Sequence, residues 1–300
     1  MSEATCRVGE IDLCYETFGA PNDPALLLVM GLATQMLGWH EDFCEELARR
    51  GFYVIRFDNR DVGRSSAMHA LGVPTIRQLL RRDKRAAGYT LDDMADDGVG
   101  LMDALGIDRA HVVGASMGGM IAQTIAIRHP DRVLSLASIM SNTGSRWAGQ
   151  PRPRMYAALL KRAPRDREAY VQHIVDLFQL IGSPGFEHDE AELRGRAERG
   201  YERGTNPAGT ARQLAAIIAS GDRTPLLRKI TVPTVVIHGT ADKLVPLSGG
   251  RATARAIPGA ALLTIPGMAH DLPRAAWPQI VGAIAENAAR AGAPPRRAAA

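Results

Sequence analysis

Gly114-Ala115-Ser116-Met117-Gly118 is a G-x-S-x-G pentapeptide between a short apolar run, Ala110–Val113, and a segment with helical spacing, Met117–His129. A serine at such a strand–turn–helix junction is held at strained backbone angles with its hydroxyl projecting. It also stands at a helix N-terminus, whose free N–H groups favour developing negative charge. A serine hydroxyl is a weak nucleophile at neutral pH and needs a base, with a carboxylate to orient that base. Two loops offer these groups. Gly239-Thr-Ala-Asp242 follows the apolar run Thr234–His238, and Pro266-Gly-Met-Ala-His270 follows Ala261–Ile265. Ser116, Asp242 and His270 are therefore expected at the carboxyl ends of three strands, where α/β sheets bind ligands. Asp271 is expected to cap a helix starting near Leu272, and His238 to be a core histidine.

The elements that must position these residues alternate. Ala25–Met30, Tyr53–Phe57, Ala110–Gly114, Val133–Met140, Thr234–His238 and Ala261–Ile265 are near-continuously apolar, as strands covered on both faces are. Between them, Phe43–Arg50, Thr90–Leu105, Met117–His129, Gly249–Ala256 and Trp277–Arg290 carry helical spacing, with Thr90 placed to cap its helix. The pattern predicts a doubly wound, mostly parallel α/β sheet with helices on both faces. Cys6–Val8 and Asp12–Phe18 have no helix between them and are expected to pair as an antiparallel hairpin. The alternation breaks between Trp147 and Thr224, where Met155–Leu160, Tyr170–Leu180, Glu190–Arg203 and Thr210–Ile218 are helix-like and punctuated by prolines. The expected organisation is a core of residues 1–146 and 225–290, a helical cap of residues 147–224 inserted over the strand ends, and a disordered tail of residues 291–300.

Composition excludes several other classes. The 300 residues are 46% hydrophobic and 23% charged, too apolar for a wholly disordered chain. No apolar run approaches the roughly 20 residues of a spanning helix, so no membrane partner is expected. Met1–Asp12 has no basic start followed by an apolar stretch, and Cys6, Cys14 and Cys44 lack metal-ligand spacing. Free thiols and no secretory signal point to the cytoplasm. The net charge of +4 is spread along the chain; the densest stretch, Arg77–Arg85, is expected to be a solvated loop, and no nucleic-acid module is visible. Between Arg146 and Lys229 basic residues outnumber acidic ones, and solvated helix faces are the expected reason.

With the G-x-S-x-G elbow, the chain order Ser116, Asp242, His270 and the strand–helix alternation on the page, the sequence resembles the α/β-hydrolase family over all but the inserted cap. Leu26-Leu-Leu-Val-Met-Gly31 with Leu37-Gly-Trp39, and Ile265-Pro-Gly-Met-Ala-His270, resemble the branch of aclacinomycin methylesterases and related bacterial esterases. The resemblance implies an oxyanion hole made by the backbone N–H groups of Met117 and Leu32. Met30 stands where the family often has histidine, so a hydrogen bond bracing that loop is expected to be missing. Asp58-Asn-Arg-Asp61-Val-Gly63-Arg-Ser65 resembles the family's D-x-R-G-x-G-x-S turn, with Asp61 in place of a glycine, and is expected to be structural. Gly31, Trp39 and Met140 are candidate substrate contacts, with Met30, Met117 and Met120 also placed to line an apolar pocket.

The implied activity is hydrolysis of a small-molecule carboxylic ester of small to medium apolar character, methyl esters included, by an acyl-enzyme route needing no metal or organic cofactor. A serine at the elbow disfavours dehalogenase and epoxide-hydrolase chemistry, which use an aspartate there. Carbon–carbon bond hydrolysis, cofactor-free perhydrolysis and a receptor role on the same fold are the alternatives. A long-chain lipase is disfavoured because no helix with an exposed apolar face stands out in the sequence.

Overall fold

The structure is a computed structural model; it describes residues 3–151, 154–155, 161 and 163–292. The expected helix Met155–Leu160 lies almost entirely outside the described residues, and so does the expected disordered tail apart from Ala291 and Gly292.

Eight strands form one sheet in the order β1-β2-β4-β3-β5-β6-β7-β8. They are β1 (Ala4–Val8), β2 (Ile11–Phe18), β3 (Ala25–Val29), β4 (Tyr53–Phe57), β5 (Ala110–Ala115), β6 (Val133–Ile139), β7 (Thr234–Gly239) and β8 (Ala261–Ile265). The β1–β2 hairpin is antiparallel, β2 meets β4 antiparallel, and all pairs from β4 to β8 are parallel. From β3 the chain moves outward to β4, then crosses back to lay β5 on the other side of β3. The strand order thus reverses at β3 and β5, which makes their carboxyl ends the crevice where such sheets accept ligands.

Every residue of β3 and β5 is buried, which explains why their sequences are apolar without alternation. One face is covered by α3 (Leu91–Ala104) and α4 (Met117–Arg128), where Leu27, Val112, Leu101, Ile121 and Ile125 pack together. The other face is covered by α1 (Glu41–Arg49) and the C-terminal helix α10 (Trp277–Ala289). There Phe43, Leu47, Trp277 and Ile280 bury against Leu26, Leu28 and Val113. Thr90 starts α3 through a reciprocal cap with Asp93, as its position suggests. Between β7 and β8 in the chain lies α9 (Ser248–Ala256), which packs on β7 on the face covered by α3 and α4.

The stretch expected to be a solvated loop, Arg77–Arg85, instead contains α2 (Ile76–Leu80), capped by Thr75, and a 3₁₀ turn over Lys84–Ala86. The apolar side chain of Leu79 drives this; it is buried against Leu214 and Ala215.

Among the described residues, the chain between β6 and β7 forms helices only: α5 (Arg167–Ile181), α6 (Glu190–Arg203), α7 (Pro207–Ser220) and the single turn α8 (Thr224–Leu227). Arg165, Arg167, Arg199 and Arg228 lie exposed as expected of solvated faces, but other arginines depart from that expectation. Arg203 and Arg212 are buried and reach into the Asp58–Ser65 turn that follows β4. The Arg212 guanidinium bonds both oxygens of Asp61, at 2.6 and 2.8 Å, and Asp61 also accepts from Tyr89 Oη at 2.8 Å and from the Met68 N–H. Burial alone would raise the Asp61 pKa, but these donors outweigh it and hold it below the usual carboxylate value. Arg203 donates to Asp58 at 2.8 Å and to Glu3. Asp61 takes φ +69°, the left-handed backbone that a glycine would adopt without strain, so the substitution exchanges backbone ease for an anchor.

Removing one partner of so enclosed a pair leaves a buried charge unpaired. Arg212→Met is expected to lower the unfolding free energy by about 3–5 kcal/mol, measured by urea denaturation. An unchanged midpoint and slope would show that α7 is not held by this pair.

Candidate active site

Ser116 sits between β5 and α4 at φ +56°, ψ −120°, a conformation costly for any L-residue with a side chain. Its neighbours make the turn feasible. A Cβ on Gly114 would overlap the Gly118 carbonyl, and a Cβ on Gly118 would overlap the carbonyl of Val29 in β3. Only hydrogen atoms at both positions let strand and helix meet this closely. The Ser116 N–H is fixed by the Ile139 carbonyl of β6 at 2.9 Å, so the elbow is tied to the sheet on its far side as well.

Three side chains from three strand ends meet here. His270 Nδ1 lies 2.7 Å from Asp242 Oδ2, and His270 Nε2 lies 2.9 Å from Ser116 Oγ. The other Asp242 oxygen accepts the backbone N–H groups of Leu244 and Val245 at 2.9 and 2.8 Å, which fixes the carboxylate plane. A carboxylate only accepts, so Nδ1 carries the imidazole proton, Nε2 presents its lone pair, and the Ser116 hydroxyl donates to it. His238 is fully buried, as a core histidine should be. It donates from Nε2 to the Val245 carbonyl at 2.7 Å and stands 3.7 Å from Asp242, backing the carboxylate from below.

The loop after β3 runs beside the serine. A Cβ on Gly31 would lie 3.1 Å from the Ser116 Cβ, so the bare Gly31 backbone is what faces the hydroxyl, and Leu32 follows it. Met117 is the first residue of α4, where an N–H has no acceptor within its own helix. The loop is braced even though Met30 replaces the family's histidine. Asn59 Nδ2 donates to the Met30 carbonyl at 2.9 Å, and Gln213 Oε1 of α7 accepts the Ala33 N–H at 2.9 Å. The Gln213 amide also donates to the Arg60 carbonyl at 2.8 Å, so one side chain ties three segments together. Sequence reading missed Gln213 because an amide on a helix carries no local pattern; its partners lie far away in the chain.

The histidine loop is tied to the segment that ends α5. His270 N–H donates to the Ile181 carbonyl at 3.0 Å, Ala269 N–H to Ser183 Oγ at 2.7 Å, and Gly185 N–H to the Gly267 carbonyl at 3.1 Å. Asp271 does not cap a helix. Its carboxylate accepts from the Ser183 hydroxyl and lies 3.7 Å from His188 Nδ1, while the turn after it, Arg274–Ala276, starts at Pro273 without a side-chain cap. Burial pushes the Asp271 pKa above its ordinary value. The residue next to His270 was free to turn away from it, and turned toward the helices.

Ser116, Met117, Gly31, Leu32, Met140 and His270 all line a cavity of about 2070 Å³ walled on its far side by α5, α6 and α7. Trp39 does not line it. Its ring is fully buried and stacked on Phe43 at 5.6 Å, in the layer between the sheet and α1, so the expectation of a substrate contact is corrected. The rim also departs from expectation. Val73, Ile76 and Leu80 are 56%, 61% and 65% exposed at the cavity mouth, so a helix with an exposed apolar face is present at α2 after all. Among the described residues no cluster of side chains is arranged to hold a metal ion, and no helix is long and apolar enough to cross a membrane.

Comparison with known proteins agrees with this architecture. Residues 24–273 match the family model described as alpha/beta hydrolase fold, and the chain belongs to that family. It is 29% identical to rhodomycin D methylesterase from Streptomyces sp. (strain C5) over 92% of this chain and 94% of that one. It is 26% identical to 3-oxoadipate enol-lactonase 2 of Acinetobacter baylyi, over 82% of each chain. In fold it is similar to the enol-lactonase of Burkholderia xenovorans LB400, with TM-score 0.74 and 24% identity, covering 95% of this chain and 99% of that one.

The assigned tautomer has a direct readout. A proton held between His270 Nδ1 and Asp242 in a buried 2.7 Å bond is expected to give a far-downfield imidazole N–H resonance that disappears in Asp242→Ala. A resonance unaffected by that substitution would place the proton elsewhere.

Proposed function

We propose that this protein hydrolyses carboxylic esters through a serine acyl-enzyme, with Ser116 as nucleophile, His270 as general base and acid, and Asp242 as the group that orients His270. The observation that carries the reading is the continuous hydrogen-bonded line from Ser116 Oγ through His270 to Asp242, opening at its serine end into the cavity.

The chemistry follows from that line. Ser116 Oγ attacks the ester carbonyl carbon as His270 Nε2 takes its proton, giving a tetrahedral oxyanion. The N–H groups of Met117 and Leu32 receive the oxyanion, and donors already fixed in place for developing charge contribute more than donors that must reorganise. Asp242 stabilises the imidazolium that forms without taking its proton. The tetrahedral species collapses as the carbon–oxygen bond to the alcohol breaks, and His270 returns the proton to the departing alkoxide. Water then enters, loses its proton to His270 and attacks the acyl carbon, releasing the acid and restoring the serine. Proton, electron pair and leaving group all balance without a further reactant.

Similarity to a methylesterase along nearly the whole chain supports methyl esters among the substrates, and similarity to an enol-lactonase supports ester-type bonds generally. A methyl ester carries its bulk on the acyl side. The cavity exceeds the roughly 300–1000 Å³ of typical ligand sites and is lined by Met30, Met120, Met140 and Phe186, which supports a large apolar acyl group rather than only the small to medium esters expected from sequence. Gly31 and Met140 are assigned to its walls close to the scissile bond.

Steady-state hydrolysis of p-nitrophenyl esters from acetyl to lauroyl, by wild type and Ser116→Ala, tests the reading. Multiple turnover is expected, with an optimum at one chain length, and removal of Ser116 is expected to lower kcat by about 10⁴-fold or more. Activity that survives in Ser116→Ala would overturn the nucleophile; absence of turnover in a folded wild type would overturn ester hydrolysis.

A further inference from the structure

Arg196, on the cavity side of α6, differs in its surroundings from the other enclosed arginines. Arg56, Arg60, Arg203 and Arg212 each bond a carboxylate, and Arg223 bonds the Asn142 carbonyl and Gln123. Arg196 is half-buried, lines the same cavity as Ser116 and His270, and lies over the Phe178 ring of α5 at 5.3 Å. No hydrogen bond or ion pair joins it to any described residue.

Three acids lie close enough to act on it electrostatically, Glu192, Asp271 and Glu41, and each is already engaged. Glu192 pairs with Arg274 at 2.8 Å and with His40 at 3.4 Å. Glu41 pairs with Arg56 at 3.0 Å and Arg199 at 3.1 Å. Asp271 holds the Ser183 hydroxyl and His188. A guanidinium has five N–H donors and stays charged in proteins. The Phe178 ring supports its face, and no described residue supplies an acceptor to its donor edge. Burial without a bonded carboxylate pushes its pKa below the ordinary arginine value, the sign of a cation held at some cost.

The helix leaves room beside it. Glu192, Arg196 and Gly200 share one face at i, i+4 spacing, and the side chain one turn beyond Arg196 is a single hydrogen. Asp271, which acts on Arg196 electrostatically, directly follows His270, and Arg196, Asp271, His270 and Ser116 all line the same cavity.

We propose that Arg196 is a binding site for a free carboxylate carried by the substrate in addition to its scissile ester. The planar fork of a guanidinium matches a carboxylate in two parallel hydrogen bonds, and this pairing is stronger than a bond between neutral groups. The substrate class is thereby a half-ester of a dicarboxylic acid, or an acid-bearing lactone or ester, whose apolar spacer runs through the cavity from Arg196 to Ser116. This inference rests on the ester-hydrolase reading above, which is why its test is made by binding and not by turnover.

Monobenzyl esters of a series of linear dicarboxylic acids, from glutaric to sebacic, are titrated calorimetrically into the full-length Ser116→Ala protein beside the matching ω-carboxamides. The amides keep the shape and remove the charge. The acid is expected to bind about tenfold more tightly than its amide at one spacer length, as a charged hydrogen-bonded pair should. Adding Arg196→Met is expected to bring the ratio to about one, and Arg196→Lys to restore part of it, since an ammonium keeps the charge and loses the fork. The ratio of two ligands on one protein is insensitive to a modest loss of folded material. Equal affinity of acid and amide at every spacer length, or a preference that persists in Arg196→Met, overturns the assignment. Failure of wild type to turn over any ester would overturn the hydrolase reading while leaving this binding result intact.

Discussion

The close approach of β5, α4 and β3 is the constraint on which the site depends. Gly118 lets the start of α4 lie against the Val29 carbonyl, and Gly114 lets the same turn fold back on itself. Ser116 can hold φ +56° only because that contact is fixed from both sides, by the glycines and by its N–H bond to β6. The strain has a chemical consequence: it lifts the hydroxyl out of the sheet at the place where the strand order reverses, beside the loop after β3. Asp242 and His270 then need only follow β7 and β8, the two strands beyond β6. Backbone geometry at one turn therefore sets the meeting point for residues far apart in the chain.

A second layer of constraint comes from the helices between β6 and β7. They are fastened rather than laid on. Arg212 and Arg203 bond the aspartates of the turn after β4, Gln213 holds the loop carrying Leu32, and the Ile181–Gly185 segment bonds the loop carrying His270. The groups that shape the cavity wall are thus coupled to the loop beside Ser116 and to the loop that carries His270. Buried charge pairs contribute little net stability against an apolar alternative, but a missing partner is costly, so such pairs define position well.

Much of this was legible in the sequence. Continuous apolar runs located β3 to β7, because strands covered on both faces have no polar side to break the pattern; β8 is as apolar but is the edge strand, with Ala261 and Leu262 exposed, and the mostly parallel sheet followed from the alternation with helices. Ser116, Asp242 and His270 were legible because each follows a strand in a loop with its own glycines and prolines. What escaped was tertiary. The α2 helix formed because Leu79 finds Leu214, a partner more than a hundred residues away. Trp39 looked like a pocket wall because aromatic type does not say which face of a loop it leaves by; it stacks on Phe43 in the core instead. The excess of arginine between β6 and β7 concealed opposite fates. Arg203 and Arg212 are anchors, whereas Arg196 faces the cavity with its donors unclaimed by any described residue, and charge counting treats all three alike.

The proposed acyl-enzyme is the central claim, and trapping it is the most direct test. Wild-type protein mixed with p-nitrophenyl acetate and quenched in acid within its first turnovers should show, by intact-mass and peptide-mass spectrometry, an added acetyl group on the peptide containing Ser116. The same increment should be absent from Ser116→Ala. A wild type that releases nitrophenol over many turnovers with no acylated species, or with the acetyl group reproducibly on another residue, would contradict the account.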